Sequence, residues 1–218
     1  MICAVLLAGG ESRRYRGDKL SVHLPDGRML AVAAADAVAG AVDRQVVVTR
    51  PGRKDLIAAL TARGWTAVAT AAAERGKGAS LAAGVCASAD AAGWLIVLAD
   101  MPLLRPETAA KVAAALRAGA LAAAPVYHGR RGHPVGFSAS LAPQLLALDG
   151  DSGAQAVLRS LGERLVRIEV DDPGVLIDVD QPQDLAGIDR KVLTPAGREK
   201  SAGVTPGTGR GPDHKGTL

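Results

Sequence analysis

Val5-Leu6-Leu7-Ala8-Gly9-Gly10-Glu11-Ser12-Arg13-Arg14-Tyr15-Arg16-Gly17-Asp18-Lys19-Leu20 decides how this chain is read. The run leading into it, Ile2 to Ala8, is apolar without interruption, as a strand buried on both faces of a parallel sheet requires. It stops at Gly9 and Gly10, where the absence of side chains lets the main chain approach a ligand closely. Cations follow at Arg13, Arg14, Arg16 and Lys19. Bare amides after a buried strand, then cations, suit a polyphosphate: arginine forks onto phosphate oxygens and lysine supplies a compact point charge. Two better-known phosphate motifs are excluded. The Walker loop needs Gly-Lys-Ser/Thr, the dinucleotide fingerprint needs a third glycine opening a helix, and this turn runs instead into a charged segment ending Pro25-Asp26-Gly27-Arg28.

Around this stretch, 218 residues allow one α/β domain with a full core. Aromatics make up only 2%, so that core is built from Ala, Val and Leu. The net charge of +4 belongs to the end of the chain: from Arg190 onward there are six Lys/Arg against two Asp/Glu, leaving twenty of each elsewhere. The body therefore gives no electrostatic case for nucleic acid. Cys3 and Cys86 form neither a Cys-x-x-Cys pair nor a zinc cluster and are expected to be small buried thiols. Met1-Ile2-Cys3 leads straight into the first strand without a basic leader, and no apolar run reaches the roughly 18 residues of a membrane span. A cytoplasmic protein with no membrane partner is expected.

Downstream, helical segments at 29–42 and 54–63 alternate with strands at 45–49 and 65–70, and Gly64 stops the second helix. The alternation predicts a mostly parallel, twisted sheet between two helical layers, with ligands at the carboxyl ends of its strands. Arg75-Gly76-Lys77-Gly78-Ala79-Ser80-Leu81 then opens an Ala-rich helix. Its first amides are free for an anion or a base edge, and Ser80 is either such a contact or an ordinary cap. Trp94-Leu95-Ile96-Val97-Leu98-Ala99-Asp100-Met101-Pro102 delivers a carboxylate at the end of a buried strand. Such a group is costly to bury unless a cation or hydrogen-bond donors satisfy it, and magnesium, a hard ion often held by one or two carboxylates plus phosphates, suits it. A helix over 106–118 follows, and Asp100 lies too early to cap it.

A strand over 121–126 enters Tyr127-His128-Gly129-Arg130-Arg131-Gly132-His133-Pro134-Val135-Gly136-Phe137, a loop rich in cations before another apolar strand. Residues 139–148 read as helix, Asp149 to Ala154 as a cap for a helix over 155–161, and 164–170 as an edge or mixed-sheet strand. In Leu176-Ile177-Asp178-Val179-Asp180-Gln181-Pro182-Gln183-Asp184-Leu185, one of Asp178 and Asp180 is expected to face the ligand edge and the other to face away. Pro182 opens a helix, with Asp184 in its first turn. Residues 190–218, rich in Gly, Pro, Thr and Lys without apolar periodicity, are expected to be a disordered tail on a domain of 1–189.

Five stretches in order, 7–19, 76–84, 98–102, 132–137 and 178–185, resemble the molybdenum cofactor cytidylyltransferase and guanylyltransferase families. The resemblance implies a Rossmann-like nucleotidyltransferase fold and transfer of a nucleoside monophosphate from an NTP to the phosphate of molybdopterin-type cofactor, releasing pyrophosphate. It places Leu7, Ala8, Gly9, Gly10, Arg14, Lys19, Gly78, Ser80 and Leu81 at the nucleotide. Arg14 and Lys19 fall on the β- and γ-phosphates, and Mg2+ (or Mn2+) on Asp100, with Asp180 as second ligand and Asp178 as runner-up. Arg130 or Arg131 and His133 face the acceptor, and a client molybdoenzyme is a possible partner.

The chain departs from the family pattern in having Arg16 where glycine is common. Gly9 resembles the guanylyl branch, since cytidylyl relatives more often have alanine there, and a missing methyl would leave room for a purine. The stretches at 78–81, 133–135 and 151–154 resemble the cytidylyl branch, so CTP is expected over GTP. Sugar- or polyol-phosphate cytidylyl transfer, and a non-catalytic cofactor-binding chaperone, are the alternatives.

Overall fold

The computed structural model describes residues 1–10, 18–186 and 188. The opening apolar run is β1, Ile2–Ala8. Beyond the turn Lys19–Ser21, α1 (Leu30–Ala39) leads to β2 (Arg44–Thr49), α2 (Lys54–Thr61) and β3 (Thr66–Ala69). Next come α3 (Lys77–Cys86), β4 (Gly93–Leu98), α4 (Pro106–Arg117) and β5 (Ala122–Tyr127). Two short strands follow, β6 (Arg130–Arg131) and β7 (Val135–Ser138). The last part holds α5 (Ala142–Leu146), α6 (Gln155–Leu161), β8 (Leu165–Glu169) and α7 (Pro182–Ala186).

The strands form one sheet in the order β3-β2-β1-β4-β7-β5-β6, with β8 on β5. β1 pairs parallel with β2 and β4, and β2 parallel with β3. β7 runs antiparallel between β4 and β5, and β8 lies parallel to β5 at the edge. The expected three-layer, mostly parallel α/β architecture is the one observed. Side-chain alternation along β1 explains the unbroken apolar run: Ile2, Ala4, Leu6 and Ala8 pack into one core layer while Cys3 and Val5 enter the other. The first layer is closed by α1, α2 and α4, through residues such as Leu30, Leu56, Leu60 and Val112. The second is closed by α3, α5 and α6, through Leu81, Val85, Leu145 and Leu158. Gly84 lets α3 lie directly on β1, since a Cβ there would strike Val5.

Three expectations are corrected. Cys86 is exposed on α3, because its neighbours Val85 and Gly84 take the sheet-facing positions, and only Cys3 is buried. The helix over 139–148 divides into a 3₁₀ turn, Ala139–Leu141, and the short α5, with Pro143 at its start. Ala154, without a side-chain bond, stands at the cap position of α6, so the 149–154 turn is not a cap. Among the described residues no helix is long and apolar enough to cross a membrane.

Candidate active site

The strand order reverses between β1 and β4: the chain leaves β1 toward β2 and β3 on one side and returns as β4 on the other. Sheets of this type open a crevice at that point, at the carboxyl ends of the strands. Here it is a cleft of ≈ 660 Å³ lined by Gly9 and Gly10 after β1, Asp100 after β4, Lys19, Ser80 and Asp180, together with Glu74, Arg75, Gly76, Lys77 and Asp151.

Lys19 is its centre. The side chain is almost fully buried, and its ammonium reaches Asp100 Oδ2 and Asp180 Oδ1, each at 2.9 Å, and the Val179 carbonyl at 2.8 Å. Three donors meet three acceptors, so the ammonium group is saturated. Burial opposes its charge, but Asp100 and Asp180 outweigh that, and its pKa rises above the ordinary lysine value. Asp178 completes a group of three carboxylates whose oxygens lie within 4.8 Å of one another. Burial, reinforced by the charges of Asp100 and Asp180, raises the Asp178 pKa. A compact set of hard oxygen donors fits a hard divalent cation such as Mg2+ or Mn2+.

The expectation that Asp178 and Asp180 face opposite ways is overturned, because residues two apart on an extended chain lie on the same side. The segment is irregular, and Asp178 and Asp180 both join Asp100. Upstream, Asp172 anchors the loop that leads to them. Its buried carboxylate accepts from the Arg105 amide (3.0 Å), the Thr108 hydroxyl (2.7 Å) and the Gly174 amide (2.9 Å). It thereby pins the start of α4, whose own N-cap position holds Arg105 without a side-chain bond, to the 173–176 turn that it caps. The Val179 amide then donates to the Asp100 carbonyl at 2.9 Å, with the Val179 side chain fully buried. Asp184 fixes the far side by accepting from the amides of Asp180 and Gln181, each at 2.8 Å.

The start of α3 also differs from expectation. Ser80 is neither cap nor open donor: it sits inside the helix and its hydroxyl donates to the Gly76 carbonyl at 2.9 Å. The Gly78 amide is taken by the Gly150 carbonyl at 2.8 Å. The 149–154 turn thus docks on α3 and presents Asp151 to the cleft. Gly9 touches the same helix. A Cβ there would lie 2.9 Å from Ala73 Cβ, Ala73 O and Ser80 Oγ, so the missing methyl is filled by protein and makes no room for a purine.

His133 lies near enough to Lys77, Asp100 and Arg131 to feel their charges. Burial, aided by Lys77, lowers its pKa to about 4; Asp100 partly offsets this and Arg131 adds to it, leaving a neutral imidazole at neutral pH. Arg130 is exposed on β6 opposite Tyr127 and is not among the described residues lining the cleft. Ala8, Gly78 and Leu81 are buried behind the cleft, whereas Leu7 lines it. Arg14, with Arg13 and Arg16, lies outside the described residues. Sequence reading missed Lys77, Asp151, Arg50 and Arg53. For Arg50 and Arg53 a signal existed, since both closely follow a buried strand, at the sheet end where ligands bind.

A family model described as the MobA-like NTP transferase domain matches residues 4–165. The chain is similar to the purine catabolism protein PucB of Bacillus subtilis (strain 168), with 31% identity over 195 residues, covering 84% of this chain and 93% of that protein. Among solved structures it is similar to Rv0371c from Mycobacterium tuberculosis H37Rv, with a TM-score of 0.73 and 25% identity, covering 85% of this chain and 95% of the other. It is also similar to a nucleotidyl transferase from Methanothermobacter thermautotroptrophicus (Mth528), with a TM-score of 0.74 and 25% identity, covering 88% and 98%.

Proposed function

Given that the chain belongs to the family of MobA-like NTP transferase domains, we propose that it transfers CMP from CTP to the terminal phosphate of a molybdopterin-type cofactor, releasing pyrophosphate. The observation that carries this reading is the convergence of Lys19, Asp100, Asp178 and Asp180 beside the glycine turn, at the reversal of strand order. Asp100 and Asp180, with Asp178 beside them, would hold Mg2+ or Mn2+, which when bound supplies charge neutralisation for phosphates. The glycine turn lets the triphosphate approach the backbone. Lys19, with Arg14, neutralises charge building on the leaving pyrophosphate, and to do so Lys19 exchanges a carboxylate partner for a phosphate oxygen. The acceptor phosphate is already an anion, so alignment replaces a general base. His133, neutral and close to Asp100, is a hydrogen-bonding group on the acceptor side.

CTP is favoured because the one feature that pointed to a purine, the missing methyl at Gly9, is occupied by Ala73 and Ser80. The test is incubation with molybdopterin cofactor, a divalent cation, and CTP and GTP at equal concentration, scoring dinucleotide product and pyrophosphate. Cytosine dinucleotide is expected. Mainly guanine dinucleotide would overturn the nucleotide assignment, and turnover only with sugar or polyol phosphates would overturn the acceptor. Nucleotide binding without pyrophosphate release under any acceptor would mean a non-catalytic binding domain.

A further inference from the structure

Two arginines that this chemistry does not use sit behind the glycine turn. Both come from Thr49-Arg50-Pro51-Gly52-Arg53, the stretch that leaves β2 and enters α2. Arg50 donates to the Gly10 carbonyl at 3.0 Å, and Arg53 donates to the same oxygen at 2.8 Å. The other amino group of Arg53 lies 3.1 Å from Asp18 Oδ1, and the side chain is only 12% exposed. Asp18 in turn caps the turn that carries Lys19, accepting from the Leu20 amide at 3.3 Å and the Ser21 hydroxyl at 2.8 Å. One guanidinium therefore hydrogen-bonds the carbonyl that ends the glycine turn and makes an ion contact, without hydrogen-bond geometry, to the carboxylate that caps the lysine turn.

The placement opposes ordinary electrostatics. Burial, above all, works against the Arg53 charge, Asp18 supports it, and the neighbouring Arg50 opposes it again. Arg53 bears this cost because it is largely buried, while its partner Asp18 is 38% exposed. The planar fork of arginine can reach two acceptors in different directions, which the single ammonium of lysine does poorly. The partners of Lys19, Asp100 and Asp180, are remote in sequence. Arg53 supplies the tie between Lys19 and β1 that those contacts leave open.

We propose that Arg53 is a positioning residue for the nucleotide: it fixes the spacing between the glycine turn and Lys19, and so orders the triphosphate subsite while leaving the acceptor side unaffected. The proposal rests on the nucleotidyl-transfer reading. The test measures CTP binding by equilibrium dialysis with Mg2+, the KM for each substrate, and the melting temperature. It compares wild type, Arg53→Met, Arg53→Lys and the charge swap Asp18→Arg with Arg53→Asp.

Arg53→Met is expected to weaken CTP binding about tenfold or more, as misplacement of a phosphate-binding group does. The acceptor KM should stay within about twofold, the scale of an unlinked site. Arg53→Lys recovers the loss only in part. The charge swap does not recover it, because the new carboxylate would face the Gly10 carbonyl. Unchanged CTP affinity in Arg53→Met, recovery in the swap, or both KM values rising in step with a lower melting temperature would overturn the proposal. A wild-type protein that binds no NTP would overturn the functional reading and this inference with it.

Discussion

At Gly9 a single methyl group separates two accounts of nucleotide choice. Gly9 does not have a positive φ, so close approach is what requires glycine there. Gly9→Ala would press a Cβ onto Ala73 and Ser80 and is expected to cost ~1–3 kcal/mol of stability, the range for overpacking a filled site. Gly10, with nothing within 4 Å of a Cβ, tolerates alanine within about 0.5 kcal/mol. Urea melts distinguish the two, and CTP/GTP competition in the folded Gly9→Ala fraction should show unchanged preference; a sharpened choice would return the methyl to the base pocket. Lys19 makes a second residue-scale prediction. It draws on the same Asp100 and Asp180 oxygens that a divalent cation would use. In nucleotide-free protein, Lys19→Met removes the competitor and leaves three carboxylates, so Mn2+ affinity read by EPR should rise about tenfold or more. Equal or weaker binding would mean that lysine and metal occupy separate places.

Between elements, docking of the 149–154 turn on α3 is made by backbone. Gly76, at φ 128°, faces Gly150 and Asp151 so closely that a Cβ would collide with both, and the Gly78 amide bonds to Gly150. The Arg75–Asp149 ion pair beside it is exposed on both sides and adds little. Asp149→Ala should therefore bind CTP like wild type. Gly76→Ala combines strain at positive φ with collision, costs on the order of 1–3 kcal/mol, and displaces Asp151 from the cleft, raising the CTP KM. Wild-type kinetics in Gly76→Ala would show that the turn docks without serving the nucleotide. These contacts mark what the sequence leaves illegible. β1 and β4 were readable because burial on both faces forces an unbroken apolar run, and Asp100 because a carboxylate at such a strand end demands a partner. The antiparallel insertion of β7 was not, since side-chain period carries no strand direction. Nor was the path of the loop that carries 178–180 to Asp100, which Asp172 helps to tie to α4 across 64 residues, although the shared side of Asp178 and Asp180 follows from their spacing of two.

For the whole molecule, Ile188, the last of the described residues, is 5% exposed and packs into the layer beneath α1 and α4. A chain ending at 189 keeps that contact and sheds the basic Gly/Pro-rich remainder, so melting temperature and turnover should match the full chain. Ending at 187 deletes a buried isoleucine, which costs ~2–5 kcal/mol by the measure of core truncations. Equal stability of the two truncations would move the domain boundary upstream. Folding stability also carries a pH signature from His133. Its pKa is lowered from 6.5 to about 4 in the folded protein, chiefly by burial, with Lys77 and Arg131 adding to this and Asp100 opposing it. Between those values the unfolded chain takes up a proton that the folded chain refuses. The contribution is thus fully present above pH 6.5, declines as pH falls, and is lost by about pH 4. One pKa unit is worth about 1.4 kcal/mol, so the full loss is of order 3 kcal/mol. Carboxylate titrations are common to wild type and His133→Gln and cancel in their difference. In metal-free urea melts at pH 7 and pH 4.5, wild type should lose about 2 kcal/mol more than His133→Gln. Parallel losses would mean that His133 takes up its proton in the folded state, and the neutral imidazole assigned to the acceptor side would have to be abandoned.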